Sequence, residues 1–306
     1  MGDGAAEGSV EETADADVRG SATNVETVAE LEAAHADVAF EACDDAQSVC
    51  TELCARLGAV APRCVWLRCD AGRSSWHERA AADGWANTAL SPLCMLATDA
   101  GVTHASRSLT SLSLCSLPLA GPLALEPLSN LVQLRALRVE HSRLLPSEAL
   151  RPLLPLVGLQ LVSLRGCDAV TDQAVGFLLP MQGLLSLQLD ATGCGDVAIL
   201  IATVFEHLAS LHMGRTAVSD KGVRVLSKRL ALAELRLPAC DALTDAGVET
   251  LSAMGTLRRL DLSGCANIGA ATVAKLREAL PQCELGARSP AGPQIADAPL
   301  PRCRTL

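Results

Sequence analysis

Aromatic residues are scarce in this chain of 306 residues, which contains three Phe, three Trp and no Tyr. Pockets for small molecules and surfaces that bind single-stranded nucleic acid normally rely on aromatic side chains. Their scarcity, together with a formal net charge of −10, argues against a substrate pocket and against a nucleic-acid partner. Because 49% of the residues are nevertheless hydrophobic, aliphatic side chains must fill the interior.

The chain also lacks a long, uninterrupted apolar run. Its most apolar stretch, residues 112–132, contains Pro118, Pro122, Glu126 and Pro127, which disfavour a membrane-spanning helix. The first residues have neither the basic region nor the apolar region of a secretory signal peptide. The sequence therefore predicts a soluble protein without a membrane span, located in the cytoplasm or the nucleus.

Basic residues are almost absent from the start of the chain. Residues 1–45 contain thirteen acidic residues and one basic residue, a net charge of −12, which leaves +2 for the remainder. Residues 1–23 are acidic and rich in Gly, Ala and Thr, so they bury too little apolar surface to offset the entropy of ordering. We predict a disordered acidic tail over residues 1–23 and a flexible Pro-rich tail over residues 286–306.

Cysteine is plentiful, with thirteen residues, and without a secretory signal these are expected to be free thiols. The densest group comprises Cys43, Cys50, Cys54, Cys64 and Cys69. The gaps of six, three, nine and four residues within this group do not match the paired cysteines of structural zinc sites. We therefore predict no metal site and no cofactor, and interpret the cysteines as small, buried side chains.

One pattern recurs seven times and is the strongest signal in the sequence. Each copy has Leu at its first position and Leu, Val or Met at its fourth and sixth positions, and successive copies start 24 or 25 residues apart. The copies start at Leu109, Leu134, Leu159, Leu184, Leu208, Leu232 and Leu257. Chance does not produce this regularity, which predicts a solenoid of stacked repeats over residues 109–285.

Each copy is typical of a strand, a turn and a helix. The alternating apolar positions predict a short strand with one buried face. Three residues after the sixth position, six copies have a small or weakly polar residue that fits a tight turn, namely Ser142, Cys167, Thr192, Thr216, Cys240 and Cys265. Helices are expected to begin after Thr171, Ser219 and Thr244, with the hydroxyl as the cap and the following Asp in the first turn.

This pattern resembles the leucine-rich repeat, specifically the cysteine-containing subtype of ribonuclease-inhibitor-like proteins and F-box ubiquitin-ligase adaptors. The resemblance rests on the segments LRGCDAVTDQAV, LPACDALTDAGV and LSGCANIGAATV, which begin at Leu164, Leu237 and Leu262. It implies an α/β fold, a leucine-rich-repeat solenoid with a curved parallel sheet on the inside and helices on the outside. It also implies a non-catalytic function in protein binding.

Upstream of Leu109 the pattern weakens, and we interpret residues 64–108 as degenerate repeats. The segment Cys94–Val102 matches the helical half of a repeat, which is the interpretation we prefer, while the alternative places a strand at Leu90–Met95. The segment Cys64–Gly72 also fits the strand pattern and would begin the stack.

Residues 24–63 are rich in Ala and Glu and have apolar residues at helical spacing. A solenoid exposes its core at its ends, so we expect these residues to form an N-terminal helical cap. The alternative is an F-box, which precedes this repeat subtype in adaptors, but the segment lacks the Leu-Pro opening of that module.

Motifs of enzymatic sites are absent from the sequence, including G-x-x-x-x-G-K-S/T, G-x-S-x-G and H-E-x-x-H. We therefore predict that the protein is not an enzyme, and our first hypothesis is a scaffold that binds a protein partner on the concave face of the solenoid. One alternative, implied by the resemblance, is a substrate-recognition subunit of an SCF-type ubiquitin ligase that binds ligase components. The other is a structural subunit of a larger assembly.

Candidate contact residues occupy repeat positions that alternate with or flank the buried ones. They are Arg135, Arg138, Arg165, His212, Arg215, Arg236, Arg258 and Asp261. We expect His212 to point outwards from its strand and to be solvated. Arginines outnumber acidic residues at these positions, which favours an acidic protein partner. We hypothesise that the acidic residues 1–23 compete with such a partner, and the alternative is that they only aid solubility.

The register makes Leu187 and Leu211 core residues in the middle of the stack, with a coil on each side. Replacement of either by Ala should lower the free energy of unfolding by about 2–5 kcal/mol, because it removes buried methyl groups and leaves a cavity. Denaturant unfolding of the two variants measures this loss. Unchanged stability in both would contradict the proposed register.

Overall fold

A computed structural model describes residues 27–32, 38–42, 51, 63–69, 90, 109–229 and 232–286. Within these residues ten strands form one sheet, and each pairs in parallel with the next described strand along the chain. The strands are β1 Val38–Ala42, β2 Cys64–Cys69, β3 Ser111–Cys115, β4 Ala136–Glu140, β5 Leu161–Ser163, β6 Ser186–Gln188, β7 Ser210–His212, β8 Glu234–Arg236, β9 Arg259–Asp261 and β10 Glu284–Gly286.

Helical segments connect the strands from β3 onwards. The α-helices are α1 Asp172–Phe177, α2 Asp196–Ala202, α3 Asp220–Arg229, α4 Asp245–Val248 and α5 Ala270–Ala279. The 3-10 helices are Glu126–Leu128, Ser147–Leu153 and Glu249–Ala253. The first two contain Pro127 and Pro152, and proline lacks the N–H group that an α-helix interior requires.

The core lies between the sheet and these helices. The residues at the fourth repeat position pair in register across the strands and form the row Leu112, Leu137, Val162, Leu187, Leu211, Leu235 and Leu260. Every side chain of this row is fully buried, so the register predicted for Leu187 and Leu211 is confirmed. Parallel strands stacked at 24- or 25-residue intervals with helices on one face make the chain an α/β leucine-rich-repeat solenoid.

A tight turn follows each of the strands β3 to β9. The residue at the eighth repeat position has φ between 52° and 77° in all seven repeats, although only Gly166 and Gly264 are glycines. The next residue then points under the neighbouring coil, where the Sγ atoms of Cys167, Cys240 and Cys265 lie 3.1–3.2 Å from a carbonyl oxygen of the preceding repeat. These thiols thus act as hydrogen-bond donors between repeats.

Burial keeps these thiols protonated. It raises the pKa of Cys167 to about 12 and that of Cys265 to about 11. A thiol with such a pKa is neutral and poorly nucleophilic at neutral pH. The interpretation of the repeat cysteines as buried structural residues is therefore confirmed at these positions.

The Asp at the start of helices α1 to α4 binds the next repeat. Asp172 accepts hydrogen bonds from the backbone N–H groups of Gly195 and Ala198, at 2.7 and 2.9 Å. Asp220 accepts one from the N–H of Thr244 at 2.8 Å and one from its hydroxyl at 2.6 Å. The carboxylate at the start of one helix therefore binds backbone N–H groups at the start of the next helix.

These contacts correct the predicted helix caps. The hydroxyls of Thr171 and Thr244 make no capping bond, because Thr171 interacts with Ser147 and Thr244 donates to Asp220. Of the three predicted caps, only Ser219 accepts a capping hydrogen bond in the described part of the chain. The donor is the backbone N–H of Lys221, at 3.3 Å.

The N-terminal part agrees only partly with the sequence prediction. Residues 27–32 are helical, as the cap interpretation predicts, but strand β1 also lies within residues 24–63, so the segment is not helical throughout. Strand β2 is the strand predicted at Cys64, and it pairs directly with β3. Leu90 is helical and buried, and the rest of the alternative strand at Leu90–Met95 lies outside the described residues. The segment Cys94–Val102 and the tails 1–23 and 287–306 lie outside the described residues.

Helix α4 has a glycine, Gly247, where it meets the Asp of the preceding repeat. A Cβ atom on Gly247 would lie 2.2 Å from Oδ1 and 2.8 Å from Cα of Asp220. We expect Gly247→Ala to lower the free energy of unfolding by about 1–3 kcal/mol, because the two repeats must move apart.

Gly176→Ala is the matched control, since this helical glycine has no atom within 4 Å of the added Cβ. That variant should gain up to about 1 kcal/mol from its higher helix propensity. Urea unfolding compares the two variants, and equal stability would refute the proposed contact between Gly247 and Asp220.

Candidate partner-binding face

The concave face is the side of the sheet opposite the helices. Two rows of side chains run across it in register. The amino row, nearer the strand starts, comprises Ala136, Leu161, Ser186, Ser210, Glu234, Arg259 and Glu284. The carboxyl row comprises Arg138, Ser163, Gln188, His212, Arg236, Asp261 and Gly286.

The middle of this face is buried. Ser163 and Ser186 are fully buried, and Gln188 and His212 are 7% and 4% exposed. Further along the same rows, the side chains of Arg236 and Arg259 are 39% and 53% exposed. Side chains on an open sheet face are normally accessible to water. The burial pattern therefore indicates that another part of the protein covers the middle of the face and leaves its C-terminal end open.

A segment of the chain itself lies on this face. Residues 27–32 form a helical turn whose Val28 side chain is 4% exposed. The guanidinium of Arg138 donates to the carbonyl oxygen of Leu31 at 2.5 Å, and the amide of Gln188 donates to the carboxylate of Glu32 at 2.7 Å. Burial lowers the pKa of Arg138, although the negative charges of Glu140 and Glu32 oppose this shift. We call residues 27–32 the internal segment.

A cleft of about 270 Å³ lies beside the internal segment at the C-terminal end of the face. Val28 forms one wall, and the small side chains of Ala209 and Ala233 contribute apolar surface. Arg258, Arg259 and Glu284 provide charged groups around the same space. The cleft can therefore receive an apolar side chain that is flanked by polar groups.

Glu234 is the centre of a charge network at this cleft. Its Oε1 atom accepts hydrogen bonds from Arg236 at 2.6 Å, and lies 3.6 Å from Nε2 of His212 and 3.5 Å from Nη1 of Arg259. Burial alone would raise the pKa of Glu234, but His212 and Arg236 lower it to about 2. Glu234 is thus an anion over the physiological pH range and holds the two arginines on the face.

The structure separates the predicted contact residues into three groups. Arg138, His212, Arg236 and Asp261 all lie in the carboxyl row. Arg135 and Arg258 precede their strands, whereas Arg165 and Arg215 follow theirs. The two pairs therefore lie at opposite ends of the strands, along the two borders of the sheet that we call its edges. Arg165 forms an ion pair of 3.2 Å with Asp190. The eight residues therefore do not form one continuous patch.

The expectation of a solvated His212 is wrong. This histidine is 4% exposed and its Nε2 lies 3.1 Å from Oγ of Ser210 and 3.6 Å from Glu234. Its side chain does point away from the core, as predicted, but the neighbouring side chains and the covering of the face exclude water. His212 thus positions Glu234 instead of offering a free contact.

Sequence reasoning missed Gln188 as a residue of the site, and it counted Glu234 and Arg259 among the charges of this face without selecting them as contact residues. Glu234 and Arg259 occupy the third repeat position, which alternates with the buried fourth position, so the repeat frame contained a signal for them. The internal segment had no comparable signal, since its two hydrogen bonds join residues 107 and 156 positions apart.

Two searches of the described part of the chain gave no candidates. Within that part, no group of three or more His, Cys, Asp or Glu side chains could hold a metal ion. None of the helices found there is both long and apolar enough to cross a membrane.

Comparison with known proteins gave similarity at the level of solved structures. No protein-family model matches the sequence, and the search of curated proteins gave no match. An internalin from Listeria monocytogenes aligns with 17% identity over 66% of this chain and 72% of that chain, with a TM-score of 0.41. An internalin C2 from the same organism aligns with 19% identity over 57% of this chain and 75% of that chain, with a TM-score of 0.43.

The lowered pKa of Glu234 makes stability depend on pH. A carboxyl whose pKa is lower in the folded state stabilises the fold above its ordinary pKa of 4.5, and this stabilisation is lost as the pH falls towards about 2. We expect Glu234→Gln to flatten the decrease in stability over this acidic range. Glu284→Gln is the control, because the side chain of Glu284 is 79% exposed.

Thermal unfolding of the three proteins at several pH values between 5 and about 2 gives the comparison. If wild type and Glu234→Gln lose stability in parallel, the charge network does not stabilise the fold.

Proposed function

We propose that this protein is a non-catalytic scaffold that binds a protein partner on the concave face, at the C-terminal end that the internal segment leaves open. The observation that carries this proposal is the cleft beside Val28, with apolar surface from Ala209 and Ala233 and exposed arginines at its edge. A face made of many parallel strands suits a partner that makes small contacts along several repeats.

An acidic partner fits this end best. Arg258 and Arg259 are exposed beside the cleft, and Arg135, Arg165 and Arg215 are exposed at the sheet edges. Arg236 is tied to Glu234 and Arg165 to Asp190, whereas Arg135, Arg215 and Arg258 form no ion pair in the described part of the chain. Among the predicted contacts, Arg258 therefore supports the proposal more strongly than Arg138 or His212, which are already engaged.

The cysteine-containing subtype of the repeat is supported by three equivalent contacts. Cys167, Cys240 and Cys265 occupy the same repeat position and lie against a carbonyl of the preceding repeat. We propose on this basis that the chain is related to the ribonuclease-inhibitor-like group. In that group a function as ubiquitin-ligase adaptor is one form of protein binding.

An exposed apolar row favours a second candidate function, that of a structural subunit. Leu154, Leu179 and Val204 recur at 25-residue intervals and are 37%, 37% and 49% exposed. Because repeats stack in register, these side chains lie in line at the helical side of the solenoid. Apolar surface of this kind is often covered in a stable assembly.

Photo-crosslinking from defined positions tests the proposed face. The crosslinking residue benzoylphenylalanine replaces Arg259 at the cleft in one full-length variant and Leu179 in the apolar row in a second variant. Cells that express each variant are irradiated, and the crosslinked proteins are identified by mass spectrometry. We expect the variant with the crosslinker at position 259 to capture one discrete partner, and Arg258→Glu to abolish this crosslink. Glu278→Lys, at another exposed position, is the charge control.

The crosslinking position decides between the two functions. A partner captured from Leu179 and not from Arg259, in fixed stoichiometry, would overturn the concave-face proposal and support a structural subunit. Ligase components among the proteins captured from Arg259 would support the adaptor function.

A further inference from the structure

The internal segment occupies the part of the face where a binding scaffold of this fold would otherwise be open. Its contacts lie on β4 through Arg138, on β6 through Gln188 and at the cleft through Val28. The segment therefore spans several strands instead of following one. This is how a bound helix lies in a groove, with its contacts distributed over successive turns.

Each contact recognises a feature that another helix could also present. Arg138 donates to the backbone carbonyl oxygen of Leu31, a group that any helical segment presents whatever its side chains. Gln188 binds a carboxylate four residues after the apolar side chain that borders the cleft. The face thus recognises an apolar residue, an acidic residue four positions later and a backbone carbonyl between them.

The fit of the internal segment is incomplete. The hydroxyl of Ser186 lies in the amino row between Leu161 and Ser210, is fully buried, and has no hydrogen-bond partner in the described part of the chain. The cleft beside Val28 is also left unfilled. A buried hydroxyl without a partner is unfavourable, so a helix with a polar group at this point and a larger apolar side chain would bind better.

We propose that the concave face binds a short acidic amphipathic helix of a partner protein, and that residues 27–32 are an internal mimic which the partner helix displaces. This inference rests on the proposed function and names the chemistry of its partner. The mimic belongs to the same chain as the face and therefore competes at a high effective concentration. A partner helix must bind the face with higher affinity than the mimic in order to displace it.

A peptide that copies the mimic tests the proposal. The probe is a fluorescein-labelled peptide with the sequence of residues 24–37, NVETVAELEAAHAD, added to the full-length protein. In wild type the internal segment competes with the probe. In full-length Glu32→Lys, which reverses the charge that Gln188 binds, the face is released, and fluorescence anisotropy should show about tenfold tighter binding of the probe.

Glu30→Lys is the matched control, because Glu30 is exposed in the same helical turn and the charge change is identical. It should bind the probe as wild type does. Val28→Asp is a second releasing variant, and thermal unfolding verifies that each variant is folded. Gln188→Ala in the Glu32→Lys background should return the affinity to the wild-type level, since the probe then loses its carboxylate contact.

Two results would overturn the proposal. One is equal binding of the probe to wild type, Glu30→Lys and Glu32→Lys. The other is equal binding of the probe and a scrambled peptide of the same composition to Glu32→Lys, which would show general charge attraction. If either occurs while Arg259 still crosslinks a partner, the proposed function stands and only the helix-mimic inference fails.

Discussion

The contact between one repeat and the next is the interaction on which the whole structure depends. A repeat of 24 or 25 residues buries too little surface to fold alone, so its stability comes from its neighbours. Three sets of contacts hold successive repeats in register, namely the parallel strand pairs, the buried row that includes Leu187 and Leu211, and the Asp-to-backbone bonds typified by Asp172 and Gly195. All three sets of contacts recur with the same period. A shift of one repeat out of register would therefore also shift the repeat that packs on it.

The same register determines what the concave face can do. In-register pairing places equivalent side chains side by side, so one repeat position becomes one row across the sheet. Small polar residues such as Ser163, Ser186 and Ser210 in the middle of the face leave space for the backbone of another segment to approach. Charged residues in the β8 and β9 repeats, Glu234 and Arg259, instead form a network that stays accessible at its edge. One face therefore has a closed region and an open region.

Burial explains why the charged groups of this face behave differently from surface residues. Arg138 is covered by the internal segment and gains a carbonyl acceptor in exchange for water. Glu234 gains His212 and Arg236 and keeps its negative charge despite partial burial. A count of charges along the sequence treats these groups as free, but the arginines that can attract a partner are exposed ones without an ion pair in the described part of the chain, such as Arg258 and Arg215.

The sequence by itself determined the period, the solenoid, the buried register and the structural cysteines, because these depend on contacts that recur at a fixed spacing. It also gives Arg138, His212, Arg236 and Asp261 the same repeat position, which the strand pairing turns into one row. Tertiary structure alone decided that β1 extends the sheet, that Thr244 donates to Asp220 instead of capping its helix, and that His212 is buried. Position along the chain carries no signal for the bonds from Arg138 to Leu31 and from Gln188 to Glu32, which join residues 107 and 156 positions apart and occur once. A contact that does not recur along the sequence can be identified only in the folded chain, where its two residues lie side by side.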